Sequence, residues 1–168
     1  MTQNKINQDT KNKLFSADKN SVLAAINTLK EKGNKEYLPL LFELLLTESE
    51  LEVRSEILKL LGTIKDADTI PMYMDALKEE RLLTIRKEIL TCCWQNGLDF
   101  SNYFDDFVDL IIDGEWEIAF EAFTVIENLE HFPPEEKMKE SKLRIAGALK
   151  LANEQKSYFL EELLKMAP

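Results

Sequence analysis

Cysteine is nearly missing from this sequence: the only two, Cys92 and Cys93, are neighbours. Adjacent cysteines give neither a disulfide framework nor metal-ligand spacing, so both read as reduced core residues. Histidine is scarcer still. His131 stands alone after an acidic helix end and just before a proline pair, the setting of an exposed loop residue. No Ser/His/Asp or Cys/His set is supported by sequence spacing. The five glycines, Gly33, Gly62, Gly97, Gly114 and Gly147, are scattered singly, which excludes a phosphate-cradling loop. Gly33, Gly97 and Gly114 fall where helices should end. No apolar run approaches the roughly 18 residues of a membrane span, and "MTQNKINQDTKNKLFSADKN" has no core for a signal peptide. The expectations are therefore a cytoplasmic chain with no membrane partner, no cofactor, no metal ligands and no catalytic residues. Strand signals are missing too, since no segment alternates apolar and polar residues with β-branched enrichment between turns.

Positive charge is also missing over a long stretch: from Glu88 to Glu136 there is no lysine or arginine, while thirteen carboxylates fall there. That exceeds the net charge of the whole chain, −10. A field of this sign repels nucleic acid and anionic membrane and attracts basic partners. Within it Asp105, Asp109 and Asp113 recur at i, i+4 and line one helix edge, at a cost of a few tenths of a kcal/mol per pair. Two readings stay open for this stripe. Its oxygens could hold a divalent cation, although no EF-hand glycine follows Asp99; or it is a solvated face near lysines of another helix. The same region is rich in aromatics, including Trp94, Phe100, Trp116, Phe120 and Phe123, and at helical spacing most of them read as core.

What is present is a repeat. The chain has 168 residues, 45% of them hydrophobic, and a chain of that size buries roughly two thirds of its unfolded surface without a staple. The segment "SELEVRSEILKLLG" lies over "ERLLTIRKEILTCCW", with Val53-Arg54 over Ile85-Arg86 and Ile57-Leu58 over Ile89-Leu90, an offset of 32. A third copy, "GEWEIAFEAFTVIEN", puts Ile118 at an offset of 33 from Ile85. A weaker early copy, "NSVLAAINTLKEKG", carries Val22, Ile26 and Leu29. Another apolar-periodic segment precedes each later copy, with Pro39 and Pro71 in register inside a first helical turn and Leu45, Leu77 and Leu110 following in register. Paired short helices of fixed period close their core only by stacking.

Val53-Arg54 through Leu61-Gly62, with Pro39 in the preceding helix, resembles the HEAT repeat in its short bacterial form, over about residues 20 to 130. Ala119 replaces the arginine of Arg54 and Arg86, and Trp94 stands where Gly62 would be, so the third copy is degenerate. The resemblance implies an all-α fold, a right-handed α-solenoid of antiparallel helix pairs. The expected organisation is a flexible polar N-terminus over 1–19 and a single repeat domain over 20–168, with a degenerate last repeat and C-terminal cap over about 131–168. The expected elements are a lone helix near 20–32 and pairs near 35–62, 68–96, 101–130 and 141–166. The last pair would bury Leu143, Ala146, Leu149, Leu151, Phe159, Leu163 and Leu164.

In solenoids of this kind the second helix of each pair lines the concave face. The resemblance therefore points to a groove row of Glu52 and Glu56, then Lys87 and Glu88, then Glu117, Phe120, Glu121 and Thr124. Phe120 falls over Ser55 and Lys87, both polar, so it reads as an exposed ring among carboxylates, typical of a binding hot spot. The function expected is a non-enzymatic protein–protein interaction module, an adaptor, scaffold or inhibitor whose acidic rows favour a basic segment on its partner. Two other classes stay open: an enzyme of HEAT-like fold, such as a DNA glycosylase or a bilin lyase, and a self-assembling structural repeat. A glycosylase needs a basic groove for phosphate, which a chain of isoelectric point about 4.7 does not offer.

Overall fold

The computed structural model describes residues 5–168, and among them every regular element is helical. The chain divides into two compact units, Met1–Asn96 and Gly97–Pro168. No helix among the described residues is long and apolar enough to cross a membrane.

The first unit holds α1 (Gln8–Leu14), α2 (Lys19–Lys32), α3 (Leu38–Thr47), α4 (Leu51–Leu61), α5 (Ile70–Lys78) and α6 (Arg86–Gln95). Each of α3 and α5 is entered through one 3₁₀ turn, Lys35–Tyr37 and Ala67–Thr69. The entry is set by a repeated polar cap: the Asn34 side chain accepts from the Glu36 amide at 2.9 Å, and Asp66 from the Asp68 amide at 3.0 Å. A side-chain oxygen there satisfies an amide that a helix start leaves orphaned. Pro39 and Pro71 sit in the first turn, where a missing N–H costs nothing. Helix α3 then buries Leu41, Phe42, Leu44 and Leu45, and α5 buries Tyr73, Met74, Ala76 and Leu77. Phe42 and Tyr73 meet edge to face at 5.6 Å, joining the first helices of successive pairs. The second helices stack as well, α2 on α4 and α4 on α6. Val53, Ile57 and Leu61, and Ile89 and Leu90, are their buried residues, so the period of 32 is a period of core positions.

Residues 8–14 depart from the flexible terminus expected over 1–19: they form α1, which packs on α2, so α2 is not a lone helix. The Asn7 side chain caps α1 by accepting from the Thr10 amide at 3.0 Å, its own amide donates to the Tyr37 hydroxyl at 2.7 Å, and Leu14 is fully buried. A helix with one buried leucine carries no periodic signal, which is why it reads as polar tail.

The second unit holds α7 (Phe104–Asp113), α8 (Trp116–Glu127), α9 (Glu135–Leu149) and α10 (Glu154–Met166). The cap recurs: Asp99 accepts from the Ser101 amide at 3.0 Å ahead of the turn Ser101–Tyr103. Asn34, Asp66 and Asp99 thus carry the same duty at offsets of 32 and 33. Helices α7 and α8 are joined by Gly114 and Glu115 alone, and a Cβ on Gly114 would meet Leu110 O at 2.4 Å and Ile118 Cγ2 at 2.8 Å, so only glycine fits. Gly97, just past α6, has φ 68°, the left-handed region that favours glycine. Within this unit α9 packs on α7 and α10 on α8, first helix on first and second on second, as in an α-solenoid.

Helix α9 starts at Glu135, earlier than the expected 141, because Pro134 ends the loop and Glu135 and Glu136 suit a helix N-terminus. Its buried face is Met138, Ser141 and Ile145, and Leu143 and Leu151 of the expected apolar set are 76% and 92% exposed. Ser141 can be buried because its hydroxyl donates to Asp105 at 2.6 Å, so a polar residue holds a position that hydrophobicity alone gives to its neighbours.

Candidate protein-interaction face

The carboxylates expected to line a groove in the first unit are committed to cations of the same unit. Glu52 on α4 pairs with Lys19 of α2. Glu56, one turn on, takes Lys30 at 2.6 Å and Lys59 at 2.7 Å. These lysines, the Lys30 hydrogen bond first, hold the Glu56 carboxyl down at about 2. Glu88 on α6 accepts from Arg54 at 3.1 Å. That arginine also donates to the Leu45 carbonyl and, at 3.2 Å, to the Glu48 carbonyl, closing the C-terminus of α3. The arginine in the Val53-Arg54 pair is therefore a helix C-cap and an inter-repeat tie. Lys87 is exposed on α6, and its carbonyl accepts from Thr91 Oγ1 at 3.0 Å. A row of exposed acids read from the sequence is here a set of ion pairs between stacked helices.

The second unit differs. Phe120 on α8 is 45% exposed, and Trp116, one turn before it, is 46% exposed, although the sequence placed the aromatics of this region mostly in the core. Their rings stack at 5.6 Å with 21° between planes. Phe120 also meets Phe159 of α10 at 6.3 Å, Phe123 meets Phe159 at 5.4 Å, and Tyr158 beside it is 59% exposed. A buried Phe159 thus carries an aromatic surface on α8 and α10. Trp116 and Tyr158 were not among the expected site residues; the i, i+4 spacing of Trp116 and Phe120 around polar neighbours was the available signal. Glu117 is exposed in the first turn of α8. Thr124 is half-buried, its hydroxyl donating to the Phe120 carbonyl at 2.9 Å. Glu121, expected to flank Phe120 in the groove, is buried, only 8% exposed. The physical reason is angular: it lies about 100° around the helix from Phe120, on the side shared with Val125.

The stripe of Asp105, Asp109 and Asp113 resolves toward its second reading at two of its three residues. Arg144 of α9 reaches Asp105 at 3.1 Å and Asp109 at 3.2 Å, and Lys137 stands 4.0 Å from Asp105. Burial raises the Asp109 carboxyl against the pull of Arg144. Asp99, Glu130 and His131 bring potential ligand atoms within 4.8 Å of one another. Asp99, however, is occupied by Ser101 and the Glu130 amide, whose hydrogen bonds outweigh the upward push of its burial and hold its carboxyl down. His131 in turn donates its amide to the Ser101 hydroxyl at 3.1 Å. The trio ties the α8–α9 loop to the start of the unit. The cysteines are buried, and burial pushes the Cys93 thiol up, away from the reactive thiolate.

A cleft of about 260 Å³ in the first unit is lined by Leu41, Tyr37 and Leu60 with Lys30, Lys35 and Lys65 at its rim. All three lysines are engaged, with Glu56, with Asp68 at 2.8 Å and with the Asn96 carbonyl, so the cleft offers no unspent cation to an anionic ligand.

Residues 11–92 match the family model described as HEAT repeats. No curated protein and no solved structure matches the chain. The matched span runs from α1 into α6 and contains the Asn34 and Asp66 caps, the two prolines and the Arg54 tie, so residues 11–92 are the part of the chain that carries HEAT repeats.

Proposed function

We propose that this chain is a non-enzymatic protein-interaction module whose binding surface is the exposed face of α8, with Phe120 at its centre. HEAT repeats are in general protein-interaction and scaffold modules. The observation that carries the reading here is the contrast between the two sets of expected site residues. Glu52, Glu56 and Glu88 are each paired within the fold, whereas Phe120 keeps 45% of its surface in water beside a second half-exposed ring. An exposed aromatic pair on a rigid helix is the usual form of a binding hot spot. The partner is a protein with a basic segment, since no cation lies on the chain from Glu88 to Glu136.

The test is affinity capture from native lysate with the wild-type chain and with Phe120→Ala, at low and high salt. The reading expects a protein captured by the wild type, lost with Phe120→Ala and weakened as salt rises. Equal capture by both chains would refute the assignment of Phe120.

A further inference from the structure

The exposed aromatics of the second unit do not stop at α8. Trp116 and Phe120 connect through the buried Phe159 to Tyr158, so three rings that are 46%, 45% and 59% exposed are linked by ring contacts across two helices. The acids around them follow from helical geometry. Glu127 lies seven residues after Phe120 and eleven after Trp116, close to whole turns, so it shares their stripe. Glu154 and Glu161 lie four before and three after Tyr158, on its own face of α10. All three glutamates are exposed, and among the described residues none of them has an ion-pair partner. Of the cations of α10, Lys156 donates to the Ile112 carbonyl at 2.7 Å, and Lys165, on the Tyr158 face near Glu161, spends its ion pair on Glu162 at 2.7 Å.

We infer that the segment bound here is arginine-bearing and lies across α8 and α10, its guanidinium groups stacked on Trp116, Phe120 and Tyr158 and its charge met by Glu127, Glu154 and Glu161. This rests on the interaction reading above and names the chemistry of the partner. Arginine fits better than lysine because its planar, weakly hydrated cation stacks on aromatic faces and meets a carboxylate with two parallel hydrogen bonds. A second copy of the chain fits badly. It would set these glutamates against their own kind in a protein of net charge −10.

The probe is a fluorescein-labelled helical peptide of arginine and leucine, with lysine and glutamate versions as comparisons, titrated by anisotropy against the full chain at about 150 mM salt. The arginine peptide should bind several-fold more tightly than the lysine one, and the glutamate one should not bind. Tyr158→Ala, and separately Glu154→Lys with Glu161→Lys, should each weaken binding by about tenfold, while Glu52→Lys with Glu56→Lys on α4 changes it little. Tyr158→Phe, which keeps the ring, should bind as the wild type does. Absence of binding by the wild type, equal affinity in the α10 variants, or loss only in the α4 variant would each overturn the inference. So would a wild-type dimer in light scattering that Tyr158→Ala dissociates. Should Tyr158→Ala unfold the chain, the glutamate variant decides alone. Phe120-dependent capture from lysate that survives these failures leaves the interaction reading standing and removes only the arginine assignment.

Discussion

Replacing Arg54 by alanine tests the repeat at its most specific residue. The guanidinium donates to the Leu45 and Glu48 carbonyls at the end of α3 and to Glu88 on α6, with its side chain only 23% exposed. A hydrogen bond from a charged donor contributes roughly 1.5–3 kcal/mol when fully shielded. Here water can replace part of each, so about 1 kcal/mol per carbonyl is reasonable, and a partly exposed ion pair adds about 0.5–1 kcal/mol. The expected loss is about 2.5–3 kcal/mol, or roughly 10 °C or more in Tm for a cooperative unit of this size. Urea and thermal unfolding followed by circular dichroism measure it. A cycle with Glu88→Gln should return a coupling of about 0.5–1 kcal/mol, a minority of the total, because the carbonyl contacts are independent of Glu88. Arg54→Lys should recover about half, since a single ammonium nitrogen cannot span the carbonyls that Nη1 reaches and the carboxylate that Nη2 reaches. A loss below about 0.5 kcal/mol, or a coupling equal to the whole loss, would refute the reading of this arginine as a helix cap.

Phe120→Ala should cost only about 1–1.5 kcal/mol of stability, well under the roughly 3–5 kcal/mol of a fully buried phenylalanine, because nearly half its surface is already wet; a drop of the larger size in chemical denaturation would show that the ring is core. Tyr73→Phe removes the hydroxyl that donates to the Leu61 carbonyl at 2.9 Å in a fully buried site, and should cost about 1–2 kcal/mol, with no loss in urea melts counting against it. Glu56 has its folded carboxyl at about 2 against an ordinary 4.5, so the stability it contributes is present above about pH 4.5 and is lost as pH falls toward 2. The Tm difference between wild type and Glu56→Gln should therefore shrink across that window, and a difference that stays constant with pH would contradict the Lys30 and Lys59 pairing.

The architecture was legible because core positions recur: Val53 and Ile85, Ile57 and Ile89, and Pro39 and Pro71 repeat at 32 in the sequence and occupy equivalent places in the fold. What stayed hidden depended on single polar contacts. Helix α1 exists through the Asn7 cap, the Tyr37 hydroxyl and one leucine, none of which makes a period. The buried face of α9 includes Ser141 because Asp105 accepts its proton, so Leu143 turns outward against its hydrophobicity. The candidate site divided in the same way. Register alone put Phe120 on a polar row, and it is half exposed there. Register cannot reveal that Lys19, Lys30 and Arg54 reach across to neutralise Glu52, Glu56 and Glu88, since those pairs join residues 26 to 34 apart. Tyr158 escaped notice because its exposure is set by which neighbour, Phe159, turns inward.

The most direct test of the central claim places a photo-crosslinking phenylalanine analogue at position 120, with the same analogue at the exposed Asp75 on α5 as the control. Illumination in native lysate should yield a discrete crosslinked protein from position 120 and none from position 75. The band should fade with added salt and under competition by the unmodified chain. No crosslink at 120, or the same products from both positions, would contradict the account.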